Sequence, residues 1–160
     1  MKDTYTQVFR LGAVIVALAV VLYWADRCFF APHRLPLCVQ AELPPGRMCL
    51  ETLHARYKNK VVWVDARSAA DFELNHLMLS ENRMFPIRKG PEMPHLVDAA
   101  IGRLLEAGEQ GECIVVFCSG DCTAAEDVAQ ELRDLGMLDA PIYTLEGGWD
   151  ALRADGFPTY

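Results

Sequence analysis

An α/β domain built on a parallel sheet and preceded by one N-terminal transmembrane helix is the fold class that three observations predict. Short apolar runs, rich in β-branched residues, at positions 61–65, 113–117 and 141–145 alternate with helix-length stretches of 3.6-residue periodicity, the pattern of strand–helix–strand units. The run at 113–117 stops abruptly at Cys118 and passes through a small polar turn into a helical sequence reaching about Leu135. Residues 11–25 (LGAVIVALAVVLYWA) carry no charge at all.

The chain has 160 residues, room for one ordinary domain and a little more. Its net charge of -7 is unevenly spread: residues 1–40 carry about +2, which leaves about -9 on the remainder. No basic stripe exists, so nucleic-acid binding is set aside. Of six cysteines, Cys28, Cys38 and Cys49 precede the body of the domain, and Cys113, Cys118 and Cys122 cluster on its central stretch. Cys118 and Cys122 are spaced C-x-x-x-C with no histidine at ligand spacing, so neither a metal nor a cofactor is expected.

Residues 1–27 read as a membrane anchor. Counting Val8 and Phe9, roughly 17 residues rise about 26 Å, enough for a thin bilayer core. Arg10 can snorkel at one boundary, and Tyr23 and Trp24 suit the other. A large ring at Trp24 sits where a signal-peptidase site wants a small residue, which favours a retained anchor over a cleaved leader. The flanking basic residues are balanced, and the short tail ahead of the span leads to the expectation of an extracytoplasmic domain. Residues 28–46 hold Pro32, Pro36, Pro44 and Pro45 and read as a tether. Pairing of Cys28 with Cys38, free thiols and palmitoylation are all open on this segment.

Residues 47–160 form the domain. A short helix is expected over 48–57, with Leu50, Leu53 and Tyr57 on one face and Cys49 at its N-cap. The strand at 61–65 ends in Asp65, Ala66 and Arg67, and Ser68 can cap a helix over 69–74. A strand at 84–87 is limited to an end or edge by Pro86. An amphipathic helix spans about 94–107. After the central strand, Ala125, Val128, Ala129, Leu132 and Leu135 form the apolar face of the next helix, with Gly136 as its C-cap. The last strand turns through Gly147 and Gly148 into a terminal helical segment.

A cysteine between a strand and a helix N-terminus has a physical reason to be reactive, since backbone N–H groups and the helix dipole stabilise a thiolate. Cys118 is therefore the candidate nucleophile, and the backbone of Ser119, Gly120, Asp121, Cys122, Thr123 and Ala124 its anion cradle. Asp121 opposes this, raising a neighbouring thiol's pKa and repelling dianions. Cys122 can act as a resolving thiol for Cys118, or simply pack under the loop. Cys113 should face the opposite side of the sheet. Asp65 and Arg67 read as a supporting pair, His76 as a hydrogen-bonded turn residue, and Trp149 as packing around the loop.

In their order, four segments resemble a single rhodanese-like domain: VVWVDAR at 61–67 followed by ADFE at 70–73, NHL at 75–77, IVVFC at 114–118, and LEGGW at 145–149. The resemblance covers roughly residue 48 to the C-terminus. It implies a central parallel sheet flanked by helices, with Cys118 accepting sulfane sulfur as a persulfide that a thiol acceptor then attacks. Donor and acceptor would be small molecules or proteins, with no cofactor. It also marks Asp65, Arg67, His76, Gly147 and Gly148 as structural support. Two departures stand out. The family's G-H-I-P-G-A turn is NHLMLS at 75–80, and no Arg or Lys lies within 119–123. The acidic loop argues against thiosulfate as donor. A related phosphatase chemistry needs an arginine about six residues past the cysteine, where Ala124 stands. A thiol–disulfide protein using Cys118 and Cys122, and a catalytically silent binding domain, are the alternative functions.

Overall fold

The structure, a computed structural model, describes residues 38–160 apart from Glu81 and Asp121. Two five-residue strands, β2 (Val61–Asp65) and β4 (Cys113–Phe117), are buried at every position. Uninterrupted apolar runs of this kind belong in the middle of a parallel sheet covered on both faces. They pair in register from Val61 opposite Cys113 to Asp65 opposite Phe117. On one side lies β3 (Met84–Pro86), an edge strand whose last residue is the proline. On the other lie β5 (Ile142–Leu145) and then β1 (Arg47–Met48). The sheet is parallel throughout, in the order β1-β5-β4-β2-β3. β1 was not expected from sequence, because two residues are too few to display a strand's period of two.

That period sorts the core into two layers. Val62, Val64, Ile114 and Val116 face α3 (Met93–Glu109) and α4 (Ala124–Asp134), meeting Val97, Ala100, Leu104, Val128, Ala129 and Leu132. Trp63, Val115 and Phe117 face the other way, toward α1 (Leu50–Tyr57) and α5 (Gly148–Ala154) with their Leu50, Leu53, Trp149 and Leu152. Cys113 lies in this second layer and Cys118 in the first. Burial pushes the Cys113 thiol up to about 12.

The expected helices form, with adjusted ends. Ser68 accepts from the Asp71 N–H and caps α2 (Ala69–Leu74). Gly136 follows α4 at φ 65, the left-handed conformation glycine adopts without strain. Leu135, expected on the buried face of α4, instead lies past its last residue and is exposed. The C-terminal tail returns to the 75–80 segment, where Met78 N–H donates to Pro158 O and Tyr160 N–H to His76 O.

Cys49 stands at the N-cap of α1, but its sulfur bonds Cys38 rather than capping the helix. Of the states left open for Cys38 by the sequence, the structure shows a disulfide, and its partner is Cys49. Sequence spacing does not tell which cysteine Cys38 meets; the fold brings it back beside β1. The Gln40 side chain completes this attachment, donating to Arg47 O at 3.0 Å and accepting from Cys49 N–H at 2.9 Å. The anchor expected within residues 1–27 lies outside the described residues, as does Cys28. Among the described residues, no helix is long and apolar enough to cross a membrane.

The disulfide closes a short loop at the sheet edge. Replacing Cys38 and Cys49 together by serine is expected to lower stability by about 2–4 kcal/mol, read as a lower denaturant midpoint.

Candidate active site

Cys118 directly follows the central strand β4. From β2 the chain proceeds to β3 on one side, and from β4 to β5 on the other. The carboxyl ends of β2 and β4 therefore flank the point where the winding reverses, the place where open α/β sheets hold their ligands. Asp65 ends β2, and Cys118 follows β4, across from it.

Asp65 and Arg67 are almost completely buried. The guanidinium grips the carboxylate through Nε, 3.0 and 3.1 Å from its two oxygens, and through a terminal nitrogen at 2.7 Å. Two more of its hydrogens go to Asn75, at 3.0 Å to the side-chain oxygen and 2.8 Å to the carbonyl. A buried arginine is tolerable only when its donors are satisfied in this way. One face of the guanidinium lies over the Trp149 ring, 3.7 Å from its centroid. The backbone N–H of that tryptophan donates to Cys118 O at 2.8 Å. Gly148 makes the approach possible. At φ 48, a Cβ there would lie 2.1 Å from the Cys118 carbonyl oxygen. A line of direct contacts thus runs from the Asp65 carboxylate through Arg67 and Trp149 to the peptide of Cys118.

Asn75 is the residue that sequence reasoning undervalued. It entered only as a departure from a glycine-containing turn, yet here it supplies two of Arg67's acceptors. His76 stacks on Phe72 at 4.8 Å, with Nδ1 3.0 Å from Phe72 O, and packs against Tyr160. These contacts place it in the turn. Gly147, at φ 72, is the N-cap of α5.

Cys118 is 4% exposed, while Cys122 is exposed. The two are disulfide-bonded, with Cα atoms 6.1 Å apart. The Cys122 N–H donates to Ser119 O at 3.0 Å, so the chain turns tightly between them. Thr123 is the N-cap of α4 and Ala124 its first residue. In this oxidised loop the carbonyl oxygens of Cys122 and Ser119 lie 2.8 and 3.3 Å from Cys118 Sγ. The sulfur therefore faces acceptors, which suit a neutral disulfide better than an anion. Asp121 lies outside the described residues.

The rim is acidic, with cations supplied from distant sequence. Asp150 Oδ2 would be 3.3 Å from a Cβ at Gly120. Glu126 and Asp127 occupy the first turn of α4. Arg47 pairs with Glu126 and, at 3.2 Å, with Glu146. Lys89 pairs with Asp127 at 2.8 Å. The hydrogen bond and charge of Asp127 raise the Lys89 pKa, and those of Glu126 act likewise on Arg47. Nothing local in the sequence signalled that Arg47 and Lys89 reach this helix.

Arg67→Met is expected to cost about 3–5 kcal/mol by leaving the Asp65 carboxylate buried and unpaired. The double variant Asp65→Leu/Arg67→Met should recover much of that loss in chemical denaturation, because no orphaned charge remains.

A family model, Rhodanese-like domain, matches residues 50–155. No curated protein matches the chain. Among solved structures, the BH2092 protein from Bacillus halodurans is 19% identical, with a TM-score of 0.50 over 71% of this chain and 75% of that one, a likeness of fold. The Alr3790 protein from Anabaena sp. is 24% identical, with a TM-score of 0.49 over 71% of this chain and 79% of that one. A solution structure of that protein's rhodanese-like domain is 23% identical, with a TM-score of 0.49 over 73% and 80%. With two thirds of its length matched by the family model, this chain belongs to the rhodanese-like domain family.

Proposed function

We propose that the protein is a sulfurtransferase in which Cys118 carries sulfane sulfur as a persulfide. The observation that carries this reading is the position of Cys118, between the central strand and the N-terminal end of α4 in a rhodanese-like domain. A reduced Cys118 would attack the sulfane sulfur of a donor, and the donor's remaining thiolate would leave. The acidic groups around the loop disfavour dianions such as thiosulfate. A neutral or cationic donor, such as a small-thiol or protein persulfide, fits the rim better. Ser119, Gly120, Thr123 and Ala124 would supply backbone N–H groups once the oxidised loop opens. The bond between Cys118 and Cys122 favours a second reading, thiol–disulfide exchange with no sulfur carried.

The anchor in residues 1–27 would hold the domain at a membrane on the extracytoplasmic side. The Cys38–Cys49 disulfide supports an oxidising compartment. A phosphatase reporter fused to the C-terminus should be active, and an inactive but intact fusion would place the domain in the cytoplasm.

The sulfur-carrying step is tested by intact mass. Full-length Cys122→Ser protein treated with a small-molecule persulfide should gain about 32 Da, one sulfur atom. The gain should be absent from Cys118→Ser/Cys122→Ser. A Cys122→Ser protein that never gains sulfur sinks the proposal.

A further inference from the structure

Cys118 and Cys122 can carry out two steps of one cycle rather than two competing functions. We infer that Cys122 resolves the Cys118 persulfide, that the sulfane sulfur leaves as hydrogen sulfide, and that a dithiol reductant resets the pair at Cys122. This deepens the sulfur-carrying proposal and rests on it.

Three observations converge. The first is reach: the Ser119–Cys122 turn holds the two Cα atoms 6.1 Å apart, within the range a disulfide spans without backbone movement. The second is asymmetry of exposure: Cys118 is buried at 4% and Cys122 is exposed. A bulky acceptor therefore meets Cys122 first. The third is polarity. With the pair closed, Cys118 Sγ is faced by the carbonyl oxygens of Cys122 and Ser119. The Asp150 carboxylate lies beside the loop at Gly120, while the first-turn acids Glu126 and Asp127 are paired with Arg47 and Lys89. Such surroundings favour expulsion of an anion and leave the neutral disulfide in place.

The chemistry balances. The Cys122 thiolate attacks Sγ of Cys118, the inner sulfur of the persulfide. The Cys118–Cys122 bond forms, the bond to the outer sulfur breaks, and that sulfur departs with the electron pair as HS⁻. The sulfane sulfur is reduced and the two cysteines are oxidised. A dithiol then attacks the exposed Cys122 sulfur, Cys118 leaves as thiolate, and the second thiol of the reductant closes its own disulfide. The net co-reactant is one dithiol per sulfur delivered as sulfide. A reductant with its second thiol in place completes the exchange intramolecularly, which a monothiol cannot do.

The test is a single turnover on full-length protein, reduced, loaded from a small-molecule persulfide, and freed of donor and thiols. Wild type should release about one equivalent of sulfide, and peptide mapping should find Cys118 bonded to Cys122. Cys122→Ser should keep its added sulfur and release no sulfide until a thiol is supplied. Regeneration of wild type should be at least tenfold faster with a dithiol than with a monothiol at equal thiol concentration, roughly the least an intramolecular second step provides. A monothiol probe trapped as a mixed disulfide should map to Cys122. A wild type that retains its persulfide, equal sulfide release from both proteins, or a trap on Cys118 overturns the inference while leaving sulfur loading intact. Failure of Cys122→Ser to load at all instead removes the sulfur-carrying proposal, and this inference falls with it.

Discussion

The buried pair of Asp65 and Arg67 is the interaction on which the site depends. It fills the carboxyl end of β2, where an apolar strand must give way to polar backbone. Burying two charges is costly, and their attraction alone does not guarantee a return. Here two more of the Arg67 hydrogens reach Asn75 and the open face is covered by Trp149. The pair thereby orders three separate segments: the strand end, the 75–80 turn and the start of α5. Because Trp149 also holds the Cys118 carbonyl, an electrostatic contact in the core becomes a positional constraint on the reactive loop.

Topology explains why these segments meet. A parallel sheet places every strand's carboxyl end on one rim, and the reversal of winding between β2 and β4 opens that rim to a ligand. Residues distant in sequence converge there: Arg47 and Glu146 from one side of the sheet, Lys89 from the other, and Asp150 below the loop. The result is a rim whose cations are already paired with carboxylates. An anion arriving there would compete with existing ion pairs, unlike one entering a loop with a free arginine. The two disulfides serve different ends. Cys38–Cys49 ties the chain entering the domain to the sheet edge, whereas Cys118–Cys122 joins the candidate nucleophile to an exposed neighbour.

Much of this arrangement was legible in the residues. The strand at 113–117 and its terminal cysteine were plain because five consecutive apolar residues followed by a small polar turn have few other readings. Ser68 was recognisable as a cap, and Pro86 as the end of an edge strand, since both act through local backbone geometry. Gly148 was marked as a backbone residue, although its reason, the Cys118 carbonyl against it, required two segments to be placed together. β1 was hidden by its length, and the partner of Cys38 by the fact that a spacing says nothing about which loop returns to which edge.

The amino-acid sequence by itself determined the α/β class, the five principal helices, the opposite facing of Cys113 and Cys118, and the position of Cys118 at the end of the central strand. These follow from periodicity and turn chemistry, which act over a few neighbouring residues. Only the tertiary structure decided that Asn75 completes the Arg67 site, that Cys38 pairs with Cys49, and that Arg47 and Lys89 reach α4. Those contacts join residues eight to seventy-nine positions apart. Their partners are chosen by strand order and close packing, which no local pattern records.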